Sequence, residues 1–128
     1  MSIEQWINLF IEKNASDLYI TVGAPPLMRT SNGTIPAGDD TIITQEMVEE
    51  SIRKLLPEQM IEEFSSTLEY NTAIGWGDHA RLRINLFRQR QNTAMVLRRI
   101  HTQIPTFEEL GLPKTYGDLV MLKRGLIL

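Results

Sequence analysis

Between Ala80 and Ile100 the chain carries six arginines and no acidic residue, in a pattern that constrains the fold more than any other stretch. Ala80, Leu82, Ile84 and Leu86 alternate with Arg81, Arg83 and Asn85, the period of two that gives a strand one buried and one displayed face. The displayed face is therefore lined with guanidinium groups. From Thr93 to Ile100 the residues are apolar at nearly every position before Arg98 and Arg99, which predicts a strand covered on both faces. Arg88-Gln89-Arg90-Gln91-Asn92 reads as the loop of the β-hairpin that joins the two arms. Neighbouring side chains on a strand point to opposite faces, so Arg98 belongs with Ala94, Val96 and Ile100, and Arg99 with Met95 and Leu97. One of the two arginines has to leave an apolar neighbourhood for a partner.

The net charge of -3 conceals a division along the chain. Residues 1–78 hold 4 Lys and Arg against 13 Asp and Glu, a balance of -9, and residues 79–128 hold 9 against 3, a balance of +6. Such asymmetry points to an anionic ligand or acidic partner near the second half, or to two halves that face each other within one fold. With 128 residues, 42% of them hydrophobic, a chain buries roughly two thirds of its unfolded surface, enough for one core. The absence of cysteine excludes disulfides and thiolate metal sites. His79 and His101 have no metal-site spacing. The opening Met-Ser-Ile-Glu-Gln-Trp lacks a basic leader, and no apolar run approaches the ~18 residues of a membrane span. A cytosolic chain is the expectation.

In chain order, Ser2 and Gln5 form a capping box before Ile3, Trp6, Ile7, Phe10 and Ile11, which fall on one helical stripe ending at Lys13-Asn14. Asp17 to Val22 reads as a strand, broken by Gly23-Ala24-Pro25-Pro26. Leu27 to Thr30 resumes extended structure, with a tight turn at Asn32-Gly33. Gly38-Asp39-Asp40 is a surface loop. Thr44 caps a helix with Met47, Val48, Ser51, Ile52 and Leu55 inward, and Pro57 opens a second helix over Met60, Ile61 and Phe64. Glu58, Glu62 and Glu63 form a solvated face. Tyr70 to Ile74 is a strand and Gly75-Trp76-Gly77-Asp78 a turn into the arginine hairpin. Beyond it, Thr106 and Glu109 form another capping box closed by Gly111. Pro113 opens a short helix ending near Lys123-Arg124-Gly125, and Leu126-Ile127-Leu128 starts as a buried strand would. The order of elements predicts an α+β domain with an antiparallel sheet and flanking helices.

The chain contains no Gly-x-x-x-x-Gly-Lys-[Ser/Thr] loop, no Gly-x-Ser-x-Gly elbow and no nucleophile spaced for a histidine. Its chemistry is arginine, whose planar fork matches phosphate oxygens and which keeps its charge when half buried. Three readings of the hairpin follow: contact with a nucleotide or phosphoryl group, nucleic-acid binding, or salt bridges to the acidic first half. Nucleic acid is disfavoured, because Phe87 is the hairpin's only aromatic platform and the whole chain is acidic.

Four ordered motifs carry a resemblance. They are Ala15-Ser16-Asp17-Leu18-Tyr19-Ile20, Gly23-Ala24-Pro25-Pro26-Leu27-Met28-Arg29 with Asn32-Gly33, Ala80-Arg81-Leu82-Arg83-Ile84-Asn85, and Lys123-Arg124-Gly125-Leu126-Ile127-Leu128. In that order, over the full chain, the sequence resembles the amino-terminal part of the type IV pilus retraction ATPases, the PilT/PilU family within the secretion-ATPase superfamily. Val96-Leu97-Arg98-Arg99-Ile100, Ile104-Pro105-Thr106 and Leu112-Pro113 resemble its PilU branch, and Tyr19 stands where the family usually has histidine.

The resemblance implies a PAS-like amino-terminal domain over residues 1–102. Residues 103–128 would then be a linker and the start of a RecA-like motor domain, cut before the Walker A loop. It implies a hexameric ATPase using ATP and Mg2+ to power pilus retraction in twitching motility, with the 128-residue piece inactive alone. Arg83 and Arg98, with Arg81 and Arg99 beside them, match the positions that lend arginines to the nucleotide's phosphates; no metal ligand and no complete catalytic centre is implied within the piece. The implied partners are its own motor domain, neighbouring subunits of a homohexamer, a second retraction ATPase and the pilus platform, at the cytoplasmic face of the inner membrane, with no nucleic acid. From the residues alone, the alternative is a non-enzymatic module whose basic hairpin binds an acidic protein or nucleic acid.

Overall fold

In the computed structural model, which describes residues 1–77, 80–101 and 104–126, Ser2 caps the first helix, α1 (Ile3–Glu12), in the reciprocal way its spacing predicts. Gln5 N–H donates to Ser2 Oγ while Gln5 Oε1 accepts from Ser2 N–H at 2.8 Å, so two orphan donors of the first turn are satisfied. The apolar stripe then buries Ile3, Trp6, Ile7 and Phe10. Asn14, with φ of 50°, turns the chain into β1 (Asp17–Thr21), followed by β2 (Leu27–Thr30) and β3 (Gly33–Pro36). The prolines at 25 and 26 precede β2, and Pro36 lies on an edge strand, where a missing N–H costs no ladder bond.

Thr44 Oγ1 accepts from Met47 N–H and starts α2 (Gln45–Leu55), and α3 (Glu58–Ser65) begins behind Pro57. Thereafter come β4 (Glu69–Trp76), β5 (Ala80–Gln89) and β6 (Asn92–Ile100). Among the described residues the six strands form one antiparallel sheet in the order β3-β2-β1-β6-β5-β4. Leu18 and Ile20 of β1, Leu82, Ile84 and Leu86 of β5, and Met95 and Leu97 of β6 point to one face, where they meet Ile3, Trp6, Ile7, Phe10, Val48 and Ile52 of the helices. Fully burying a side chain of this size stabilises by about 1.5–3 kcal/mol, so this layer supplies most of the driving force. Gln45 of α2 ties the layers together, its Oε1 accepting from the buried Thr93 N–H at 3.0 Å.

Three local expectations change. The hairpin loop is two residues, Arg90 and Gln91, because β5 runs to Gln89 and pairs it with Asn92. Both turn residues have positive φ, 50° and 70°, the geometry that matches strand twist but is ordinarily met by Asn-Gly. Gly75 and Trp76 continue β4 instead of turning; Trp76 pairs with Ala80, and its Nε1 donates to Asn8 Oδ1 of α1 at 3.0 Å. β6 is covered on both faces only at its start, where Thr93, Ala94 and Met95 are all buried; further along, Val96 is half-buried and Arg98 exposed on the face away from the helices. The expected turn extended over Asp78, and that residue lies outside the described ones.

Past the sheet, Thr106 and Glu109 exchange hydrogen bonds as predicted, with Thr106 N–H donating to Glu109 Oε2 at 2.8 Å and Glu109 N–H to Thr106 Oγ1 at 3.2 Å. They frame a turn closed by Gly111 at φ 66°. The next helix, α4 (Thr115–Val120), is shorter than expected and buries nothing, consistent with the marginal stability of short helices that lack a packed face. Leu126, expected to begin a buried strand, is 82% exposed. Ile127 and Leu128 of that expectation lie outside the described residues.

Candidate functional site

Antiparallel register places six residues in one row across the uncovered face of the sheet: Thr34, Arg29, Asp17, Arg98, Arg83 and Ala73, one from each strand. A parallel row one step along holds Pro36, Leu27, Tyr19, Val96, Asn85 and Asn71. On the other side of the first row, Arg81 stands between Ile100 and Gly75. Arg29, Arg81, Arg83 and Arg98 are all exposed. The period of two in β5 thus does what it predicts: every buried leucine or isoleucine on one face leaves a polar or basic residue on the other.

Arg83 and Arg98 are direct cross-strand partners, an arrangement that ordinarily destabilises because like charges oppose. The neighbour that relieves it is Asp17, opposite Arg98 on β1. Arg98 Nε donates to Asp17 Oδ1 at 2.7 Å, and Ser16 Oγ donates to Asp17 Oδ2 at 2.9 Å. Asp17 is buried while Arg98 stays largely in solvent, their side chains 4% and 65% exposed. The hydrogen bond that Arg98 donates to Asp17, aided by the carboxylate's charge, holds the Arg98 guanidinium above the ordinary arginine value.

Beside the arginine pair lies a polar cluster. Asn85 Nδ2 donates to Glu69 Oε1 at 2.7 Å and to Asn71 Oδ1 at 3.0 Å, and Asn71 Nδ2 donates to Glu69 Oε1 at 3.1 Å. The bond from Asn85, with that from Asn71, pulls the Glu69 carboxyl below its usual value. Glu69, Asn71, Arg83, Asn85, Val96 and Arg98 line a shallow cleft of about 380 Å³. Its lining sets two guanidinium groups beside one carboxylate, Glu69, and the amides of Asn71 and Asn85.

The structure brings Arg83 and Arg98 together, with Arg81 two residues along the same face of β5. Arg99 goes to the other face, opposite Leu82, where Nη1 donates to Asn14 Oδ1 at 2.9 Å. The separation of Arg98 from Arg99 follows the strand alternation. Arg88 stacks over the Phe64 ring at 5.6 Å, a cation–π contact of the hairpin with α3. Among the described residues four ion pairs occur, and only Arg98–Asp17 joins the basic second half to the acidic first. Ion pairing between the halves thus engages one arginine of the hairpin among the described residues. No group of three potential metal ligands occurs among the described residues, and none of their helices is long and apolar enough to cross a membrane.

Sequence reasoning did not find Asp17, Arg29 or the cluster of Glu69, Asn71 and Asn85. Their alternation on strands gave each a face, but only the register across β2, β1, β6, β5 and β4 makes them neighbours.

No family model matches the chain. Over all 128 residues it is 40% identical to the type IV pilus ATPase PilU of Pseudomonas aeruginosa, covering 33% of that protein. It is 27% identical to the type IV pilus retraction ATPase PilT of the same organism, again over 128 residues and covering 37% of it. The fold matches the crystal structure of the pilus retraction motor PilT with bound ADP at a TM-score of 0.78 and 29% identity, over 93% of this chain and 35% of that one. It also matches the Legionella pneumophila ATPase DotB at a TM-score of 0.75 and 17% identity, over 94% of this chain and 34% of that one, a likeness of fold alone. The chain spans about a third of the length of these curated relatives.

Proposed function

Because the chain belongs to the PilT/PilU family of type IV pilus ATPases, we propose that it is the amino-terminal domain of a hexameric motor that hydrolyses ATP, with Mg2+, to retract pili in twitching motility. Residues 1–102 form the domain, and residues 103–128 lead from it to a RecA-like motor domain. The contrast between a packed body and the exposed apolar residues Ile104, Leu110, Val120, Met121 and Leu122 supports that division. The motor works at the cytoplasmic face of the inner membrane, with the pilus platform and a second retraction ATPase as further partners.

The domain's part in the reaction is to present Arg83 and Arg98, with Arg81 beside them, to the phosphates of a nucleotide held by a motor domain. The observation that carries this reading is the opposed pair Arg83 and Arg98 on an uncovered sheet face, with Asp17 engaged at the Nε of Arg98 and Glu69 engaged by Asn85 and Asn71. Two exposed guanidinium groups held in register repel modestly, Asp17 offsets part of that at Arg98, and an anion reaching both forks would be bound by charge-assisted hydrogen bonds. A domain that closes on the site brings that charge only when the ring is set for turnover, so the stabilisation is realised in the transition state. Arg99, bound to Asn14 on the opposite face, serves the domain's own structure.

ATP turnover by the full-length protein tests this. Arginine fingers are worth on the order of 10³ to 10⁵ in phosphoryl transfer, and domain-borne arginines are expected to contribute a share of at least about tenfold. Arg83→Lys and Arg98→Lys keep the charge and lose the fork, so each should lower kcat while the melting temperature stays parental. Parental kcat in both removes the phosphate role and leaves the face as a surface for an acidic protein. The 128-residue chain contains no P-loop sequence, and alone it should show no magnesium-dependent turnover.

A further inference from the structure

Asp17 is the one carboxylate buried in the described structure, and it sits on the sheet face that the helices do not cover. A buried carboxylate is costly to a fold unless it is paired and hydrogen-bonded. Both oxygens are engaged, Oδ2 by the Ser16 hydroxyl and Oδ1 by Arg98 Nε. Arg29, its register neighbour on the opposite side, makes no ion pair among the described residues. The contact with Arg98 is therefore specific in partner and in atom.

The choice of Nε matters for what is left over. Guanidinium binds an anion through either of two forks, Nε with one Nη, or both Nη together. Asp17 occupies Nε and so leaves the end-on pair of Nη groups to another anion, on a side chain that is 65% exposed and pairs in register with Arg83. Without that tether an arginine of this exposure samples many rotamers, and repulsion from Arg83 drives it away from the cleft.

We propose that Asp17, fixed by Ser16, is a positioning residue that holds Arg98 by its Nε edge, aiming the end-on fork at the nucleotide's phosphates and offsetting the charge of Arg83. This rests on the phosphate reading above. A carboxylate in this role touches no substrate. It acts through one arginine, which gives it a signature: its loss matters only while Arg98 is present.

The test is a double-mutant cycle on ATP turnover by the full-length protein, with Asp17→Asn, Arg98→Ala and the double variant assayed well below their melting transitions. Misplacement of a positioning group by about 1 Å costs up to about 100-fold, and Asp17→Asn should lower kcat by about tenfold with KM near parental. In the Arg98→Ala background the same change should have no further effect. Equal losses in both backgrounds overturn the proposal, since Asp17 would then act on the fold. Parental kcat in Asp17→Asn, beside an impaired Arg98→Ala, also overturns it and leaves the phosphate reading intact. Parental kcat in Arg98→Ala removes Arg98's phosphate role and this proposal with it. If Asp17→Asn does not fold, Ser16→Ala replaces it in the same cycle, with an expected loss of about threefold that must again vanish without Arg98.

Discussion

The two faces of the sheet are made by the same strands and have opposite purposes. On one, Leu82, Ile84, Leu86 and Leu97 have no solvent exposure and pack under three helices. On the other, in the alternating positions, Arg81, Arg83 and Arg98 stand in solvent with the acids Asp17 and Glu69 beside them. The packed face is satisfied within the domain, whereas the open face opposes like charges beside a shallow polar cleft. Stability belongs to the first face, and the second is the one to which we assign the phosphate contact.

Substitutions should separate the faces by size of effect. Leu97→Ala, on the packed face, is expected to lower unfolding free energy by about 2–5 kcal/mol, read by chemical denaturation of the 128-residue chain. A loss below about 1 kcal/mol would mean that the layer is looser than its burial indicates. The turn is next. Gln91→Gly relieves a non-glycine residue at φ 70° and should raise stability by about 1 kcal/mol. Arg83→Ala, on the open face, should change stability by less than about 0.5 kcal/mol and lower turnover clearly in the full-length protein. A large stability loss with unchanged turnover would reverse the assignment of the two faces.

The smallest effect is a pH dependence. Asn85 and Asn71 lower the folded pKa of Glu69 below its unfolded value, so their contribution is present above the ordinary carboxylate range and lost as pH falls through the folded pKa. Glu69→Gln should flatten that part of the acid limb of the stability profile slightly. An unchanged acid limb would mean that the cluster is not populated in solution.

Most of the body was legible because its signals are local. The capping box at Ser2 and Gln5, the stripe from Ile3 to Phe10, the Thr44 cap and the alternation of Ala80 to Leu86 all act within a few residues. Trp76 was misread because Gly75 and Gly77 look like a turn, while the bond from Trp76 Nε1 to Asn8, 68 residues away in sequence, holds the strand's end against α1. The two-residue hairpin turn was hidden because Arg90 and Gln91 are not residues that favour positive φ. Of the site, the alternation gave the faces of Arg81, Arg83, Arg98 and Arg99. The partner of Arg98 was not legible, because Asp17 lies 81 residues away and meets it only through the pairing of β1 with β6.

The most direct measurement is a structure of the full-length ring with a bound non-hydrolysable ATP analogue and Mg2+. The Nη groups of Arg98, and the guanidinium of Arg83, are expected at about 2.7–2.9 Å from phosphate oxygens in a closed subunit, with Asp17 still on Arg98 Nε. An open face turned to solvent or covered by protein, with both arginines beyond hydrogen-bond reach of the nucleotide in every subunit, would contradict this expectation.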